Sequence, residues 1–359
     1  FQQVVYTVNQ PAAARGNQSV FWNIAYFDKY YFEAIFKGFF FPDGDKPCWE
    51  SVNVLQKLFM KWFNKERTHE VMTFPVETFN LLNDGNGDYK DKENAEFCAE
   101  MLAEGHSFFI YQSDSPDALA SCCRLRNALE NNEFSYTLGA GGIETGSKGV
   151  ITLNLNRIVQ DWKNEGCKVT LKERITEITE RVHKYLSAFN DIVWDYYNNG
   201  MLQIYNEGFI NLDKQFLTIG INGFVEGAEF LGYRISPDDE NYKQYAIDIL
   251  TTIKDLNKRD CQPHCKFNTE FVPAESLGVK NAKWDKEDGY WVPRDVYNSY
   301  FYIVEDTHTT PLEKFKLMGK DFTGCLDGGS ALHMNLDEHL SKAQYEMLMK
   351  VAVKDGCNY

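Results

Sequence analysis

The sequence predicts an α/β fold, a mostly parallel sheet whose strands are joined by long helical crossovers. Three observations carry this. Short β-branched or aromatic runs such as HSFFIYQ (106–112) and VITLNLNRI (150–158) alternate with long amphipathic stretches. Those runs are almost continuously apolar, as strands are when helices cover both faces of a sheet. Finally, 359 residues with 26 Phe and 20 Tyr supply enough apolar side chain for a large core.

In chain order, VFWNIAYF reads as a strand and is followed by an aromatic amphipathic segment up to residue 41. Glu50 to Lys65 reads as a helix, with Val54, Leu55, Leu58, Phe59 and Phe63 at 3–4 spacing on its inner face. VMTFPVETFNLL (71–82) is a strand in which Pro75 predicts a kink or an edge position. A polar turn (83–94), a helix around Ala95–Glu104 and the strand 106–112 come next. SDSPDALASCCRLRNALENN (113–132) reads as a loop into a short helix. A Gly-rich stretch feeds the strand 150–158, and Thr170 to Asn199 is a long helix with Leu171, Ile175, Ile178, Val182, Leu186 and Phe189 inward. FLTIGINGFVEGAEFLG (216–232) reads as strand, Gly turn and helix, and a further helix covers about Asp239–Arg259. CKFNTEFVPAESLG (265–278) and FTGCLDGGSALHMNL (322–336) each predict a strand running into a loop. In such folds chemistry sits on loops at the carboxyl ends of strands.

Composition excludes several classes. A formal net charge of −15 disfavours a nucleic-acid partner, whose phosphates need Lys and Arg, while a single nucleotide held by local donors still fits. The most apolar stretch, Tyr30 to Phe41, is broken by Glu33 and Lys37, so no membrane span is predicted. FQQVVYTVNQ lacks a basic region followed by an apolar core, so no signal peptide is predicted either. Nine cysteines, an odd number spread along the chain, point to reduced thiols and a cytoplasmic location.

Cys122-Cys123-Arg124 is the most informative spot. A loop thiol can act as nucleophile, redox group or radical carrier, but free cysteines also serve as small core hydrophobes, and spacing alone favours that second role. GAGGIETGSKG (139–149) fails the phosphate-loop pattern because Lys148 follows Ser147, and it precedes a strand where a dinucleotide motif would follow one. Cys261, His264 and Cys265 offer three metal ligands with no fourth, which favours a structural loop. Pro273-Ala-Glu-Ser276 and Gly328-Gly-Ser330 stand where a helix or tight turn begins, a place that suits phosphate and ordinary capping alike. Asn154 and Asn156, two apart in a predicted strand, share a face and could hold a sugar hydroxyl. His333, flanked by apolar residues, reads as a core histidine.

Taken together, these segments resemble the anaerobic, glycyl-radical (class III) ribonucleoside-triphosphate reductase large subunit. The stretches that carry the resemblance are NQPAAARGNQSVFWNIAYFDKYYFEAIF (9–36), TFPVETFNL (73–81), CCRLR (122–126) and GAGGIETGSKGVITLNLNRI (139–158). FLTIGINGFVEG (216–227), NTEFVPAESLGVKNAKWDKE (268–287) and GGSALHMNLDEH (328–339) continue the series in the family's order, over nearly the whole chain. The resemblance implies a ten-stranded α/β barrel with a central finger loop, about 113–149, that carries a thiyl radical. The cysteine followed by Arg is the radical residue, here Cys123. Asn154 falls on the strand asparagine near the substrate ribose, and Cys122, Ala274, Glu275 and Ser276 become substrate contacts. The implied reaction reduces ribonucleoside triphosphates to 2′-deoxyribonucleoside triphosphates, with formate as reductant and dNTP or ATP as effectors. A homodimer and a radical-SAM, iron–sulfur activase are implied partners. The chain ends at DGCNY, about where the family continues into a zinc module and the radical glycine, and the resemblance implies that the family's early barrel strand is not among these residues. The resemblance therefore implies one partial barrel domain over 1–359, with no cofactor of its own and inactive alone. Rival readings are a pyruvate formate-lyase-like glycyl-radical lyase, in which both adjacent cysteines act, and a non-catalytic nucleotide-binding or dimerisation fragment.

Overall fold

A computed structural model describes residues 1–357 except 14, 15, 18, 21, 117, 122–124, 129–145, 273, 274, 307, 335 and 337. At 118–121, 125–128 and 275 it describes the backbone alone. The chain forms two compact units, Phe1–Ser135 with Leu336–Tyr359, and Tyr136–Asn335.

The first unit is built on β1 (Asn23–Phe27), β2 (Val76–Leu82) and β3 (Phe109–Ser113), a parallel sheet in the order β1-β2-β3. Pro75 lies just before β2, which is why β2 can take the centre of the sheet and not the edge that Pro75 suggested. Side chains alternate faces. Tyr26, Phe79 and Leu81 point into an apolar cluster with Phe59, Met60 and Phe63 of α3 (Trp49–Glu66), and with Phe97, Cys98 and Met101 of α4 (Lys92–Ala103). Val5 of α1 (Gln2–Asn9) and Met349 and Val353 of α13 (Lys342–Lys354) complete it. Each large side chain so buried contributes roughly 1.5–3 kcal/mol. On the opposite face Thr78 and Asn80 are fully buried. Asp28 caps α2 (Lys29–Ile35) at the carboxyl end of β1, accepting the Tyr31 N–H at 2.7 Å.

Two expectations fail in this unit. The inner face of α3 is turned relative to the expected one: Gln56, Phe59, Met60 and Phe63 are buried, while Val54, Leu55 and Leu58 are exposed. Gln56 is inside because its amide bonds Phe27 O at 2.9 Å, a partner that hydrophobic periodicity does not register. The short helix expected within 113–132 is replaced by an antiparallel hairpin, β4 (Ala118–Ser121) and β5 (Leu125–Ala128). β4 lies against all three strands of the sheet, a tertiary pairing that overrides the local helix propensity.

The second unit holds the parallel sheet β6 (Gly146–Asn154), β7 (Gln215–Asn222) and β8 (Lys266–Glu270), in that order. Leu153, Leu217, Ile219, Ile221 and Phe267 are buried, and α6 (Leu171–Asn198) and α9 (Glu240–Asp260) pack on the sheet and on each other. α6 starts as its sequence demands, with a Thr170–Glu173 capping box. Its inner face carries Ile175, Thr179, Val182, His183, Leu186 and Asn190, and Phe189 is more exposed than its apolar character suggested. His183 belongs inside because both ring nitrogens are bonded, to Asp260 at 2.8 Å and Asn257 at 2.9 Å.

Short helices follow the strands: α5 (Leu155–Asn164) after β6, and α8 (Phe224–Phe230) after β7. α7 (Gln203–Asn206) precedes β7, and α10 (Glu275–Glu287) follows β8. The expected strand 150–158 ends at Asn154, because that side chain caps α5 and turns the chain; Asn156 is helical. No strand forms within the described part of 322–336, where α12 (Lys320–Thr323), preceded by α11 (Pro311–Leu317), gives way to turns. Instead the backbone of Gly328 and Gly329 lies along β8, with Gly328 N donating to Thr269 O and Phe271 N donating to Gly329 O.

Candidate active site

A chain of polar groups crosses one face of the sheet, from the amino end of β6 through the middle of β7 to the carboxyl end of β8. Ser147 Oγ lies 2.7 Å from Thr218 Oγ1, Thr218 donates to Asn268 Oδ1 at 2.7 Å, and Asn268 Nδ2 donates to Glu270 Oε1 at 2.8 Å. Asn154 and Asn222, the last residues of neighbouring strands, are register partners. Both are held by α10. Asn281 donates to Asn222 Oδ1 at 2.7 Å, and one turn later Asp285 accepts Asn154 Nδ2 at 3.0 Å on each of its oxygens.

Asp285 is fully buried and receives more than Asn154. Arg157 Nε donates to it at 2.7 Å, Asn156 Nδ2 at 3.2 Å and Tyr297 OH at 2.9 Å. Burial works against the Arg157 charge, but the bonds to Asp285 and Asp288 outweigh it and hold the guanidinium pKa above its ordinary value. Burial, reinforced by the carboxylate beside it, pushes the Tyr297 phenol well up, so it stays a donor. Nearby, Glu226 is buried against Arg294 at 2.8 Å and Asn298; burial raises its carboxyl despite those partners. The whole arrangement is a preorganised array of polar groups whose mutual hydrogen bonds fix one another's polarity.

The residues expected at the site are distributed as follows. Asn154 is half-buried at the end of β6, with Oδ1 accepting the Arg157 N–H at 3.2 Å. Glu275 opens α10 and Ser276 is exposed in its first turn, so the expected helix start after Pro273-Ala274 exists. Ala274 lies outside the described residues, as do Cys122 and Cys123; Ser121 and Leu125, on either side of 122–124, pair as a rung of the hairpin. Cys261 and His264 are exposed, His264 pairs with Asp213, and no cluster of three metal-ligating side chains forms among the described residues. The His333 backbone is bonded to the Tyr302 hydroxyl, and the buried Ser330 hydroxyl points to Met318 sulfur at 3.8 Å. None of the described cysteines is in a disulfide, and burial raises Cys98 and takes Cys357 to about 12, which leaves both inert. Asp285, Arg157, Tyr297 and Asn281 were not foreseen. The available sign was the i, i+4 pair Asn281/Asp285 in a short helix beside two asparagine-ended strands.

Comparison with known proteins then decides the family. Over residues 1–359 the chain matches the family described as anaerobic ribonucleoside-triphosphate reductase. The chain belongs to that family. Among solved structures it is similar to the anaerobic ribonucleotide reductase from Thermotoga maritima in complex with dATP and CTP, with a TM-score of 0.85 at 28% identity. The match covers 99% of this chain and 59% of that one. The Thermotoga maritima enzyme with MES in the active site gives 0.85 at 29% identity, covering 99% and 59%. A further structure, described as anaerobic ribonucleotide reductase, gives 0.84 at 28%, covering 99% and 56%. The chain thus spans less than two thirds of the length of these relatives. No curated protein sequence matches it. No helix among the described residues is long and apolar enough to cross a membrane.

Proposed function

We propose that this chain forms the central catalytic portion of an anaerobic reductase that converts ribonucleoside triphosphates to 2′-deoxyribonucleoside triphosphates by thiyl-radical chemistry. The observation that carries the reading is the family match over all 359 residues. The polar strand ends of the second unit give it a chemical rationale. In this reading the two parallel sheets contribute strands to one ten-stranded α/β barrel spanning 1–359, and the segment 113–149 is its finger loop. Cys123 is the radical residue, Asn154 contacts the ribose, and Cys122, Ala274, Glu275 and Ser276 are further contacts.

The glycyl radical, generated by a radical-SAM iron–sulfur activase on a segment outside these residues, supplies the oxidising equivalent at the Cys123 sulfur. The sulfur takes the ribose 3′ hydrogen atom, forming S–H and leaving the radical on C3′. The 2′ hydroxyl takes up a proton and departs as water, formate gives two electrons and a proton as it is oxidised to carbon dioxide, that hydrogen replaces the hydroxyl on C2′, and Cys123 returns its own hydrogen to C3′; the one further proton comes from solvent. The task of the other residues is to fix the ribose against one sulfur and exclude competing hydrogen donors. Among the described residues no three metal-ligating side chains converge; in this reading zinc belongs to a module outside these residues. The Thermotoga maritima enzyme was solved with dATP and CTP; the same classes, nucleotide substrate and deoxynucleotide or ATP effector, are proposed for this protein, as are a homodimeric assembly and a cytoplasmic location.

The test is an anaerobic assay of the complete reductase with its activase, following dCTP formed from CTP. Cys123→Ser is expected to abolish product and Cys122→Ser to retain it. Loss of activity in both variants would point to a lyase-type pair of acting cysteines and overturn the reading.

A further inference from the structure

We infer that Asp285 is the positioning residue of the nucleotide site, fixing the polarity of the Asn154 carboxamide and tying it to the helix that begins at Glu275. This rests on the reading of Asn154 as a ribose contact. A carboxamide can turn through half a circle and exchange its oxygen for its NH2 at almost no steric cost. Asp285 removes that freedom. An ionised carboxylate only accepts, and both its oxygens lie 3.0 Å from Asn154 Nδ2, so the NH2 must face Asp285. Oδ1 is thereby turned to the Arg157 N–H at 3.2 Å, with its second lone pair left to take a hydroxyl donor. Room for that oxygen depends on Gly223, where a Cβ would stand only 3.2 Å from Asn154 Oδ1.

Asp285 itself cannot swing. Oδ1 also accepts Arg157 Nε, and Oδ2 also accepts Asn156 Nδ2 and Tyr297 OH. The same helix repeats the device one turn earlier, where Asn281 holds Asn222, the register partner of Asn154. From Glu275 to Asp285 the helix runs about 15 Å at 1.5 Å per residue. One rigid rod therefore sets the distance between the helix start, proposed to take the phosphates, and the carboxamide proposed to take the sugar. A buried carboxylate of this kind is kept for specificity more than for stability.

The experiment measures equilibrium binding of CTP and of 3′-deoxy-CTP to the complete reductase, anaerobically and without radical activation, so that binding alone is read. The unsubstituted protein is expected to prefer CTP about tenfold, the worth of one hydrogen bond. Asn154→Ala and Asp285→Asn should each reduce the preference to about twofold or less, with 3′-deoxy-CTP affinity held within about twofold. The two together should do no more than either alone, because one acts through the other. Exchanging the groups, Asn154→Asp with Asp285→Asn, rebuilds a donor–acceptor pair with an acceptor still facing the sugar and should restore at least half of the preference. A residue with a merely structural role would not show that rescue. If Asp285→Asn fails to fold, the exchanged double, which keeps one carboxylate in the pair, is read in its place, and absence of rescue there overturns the inference. If Asn154→Ala loses the preference and Asp285→Asn keeps it, the positioning role is wrong while the ribose contact stands. If Asn154→Ala keeps it, the ribose contact itself is wrong and the inference falls with it.

Discussion

Replacing Asp28 by Asn should change how stability depends on pH. Asp28 has no exposed surface, and its two oxygens accept the Tyr31 and Leu82 amides at 2.7 Å each. Those amides favour the charged carboxylate, but burial opposes them and wins, with Asp91 adding to the rise, so the carboxyl is pushed up from 3.8 to about 6. A raised folded-state pKa means that the fold binds the proton more tightly than the unfolded chain does. The resulting stability is present below pH 4 and is lost as pH rises through 6. Two pKa units correspond to about 3 kcal/mol. Urea unfolding of the natural protein and of Asp28→Asn, followed by tryptophan fluorescence from pH 4.5 to 7.5, isolates this contribution by difference. The natural protein should lose about 2 kcal/mol relative to the variant across that range, which leaves out the part of the effect below pH 4.5. A flat difference, or one that grows with pH, would show that the two amides outweigh burial and would refute the argument.

Gly223→Ala should lower the unfolding free energy by about 2 kcal/mol in urea, from the left-handed backbone penalty plus crowding. The backbone there has φ +71, and a Cβ would stand 3.1 Å from Asn156 N and 3.3 Å from Tyr297. An unchanged midpoint would contradict that geometry. The Asp260 carboxyl is held down to about 2, mostly by Arg259 and also by His183, although burial opposes both. Its contribution is present above about pH 4 and fades as pH falls towards 2, so the urea midpoint should drop more steeply between pH 5 and 2.5 in the natural protein than in Asp260→Asn; parallel slopes would exclude the link.

Much of the fold was legible because helix period and strand composition are local properties. The long helix expected at Thr170–Asn199 is α6, Leu171–Asn198, and the strand–Gly–helix reading of 216–232 became β7, Gly223 and α8. What escaped were features fixed by distant partners. Gln56 and His183 are inside because of hydrogen bonds to the Phe27 backbone and to Asp260 and Asn257, and no hydrophobicity pattern records such bonds. The segment holding hairpin β4–β5 was read as a loop into a short helix because its residues carry no strand alternation, and its pairing comes from the chain folding back on itself. At the site, Asn154 could be named from the resemblance, but the strand face expected to be shared by Asn154 and Asn156 is not found, because the strand ends at Asn154 and Asn156 is helical. Both donate to Asp285, 129 or more residues away in the chain, and that convergence has no signature in either local stretch.

The backbone of Gly328 and Gly329 along β8 has a consequence for assembly. Exposed strand rims recruit strands from other molecules, the first step towards aggregates. Here the outward amide of Phe271 and the outward carbonyl of Thr269 are already spoken for within the chain. Glycine is what permits the approach, since a Cβ on residue 328 would sit 2.5 Å from Thr269 O. The carboxyl end of that flank is therefore occupied by the chain itself, and a strand from another molecule cannot pair there without displacing the two glycines.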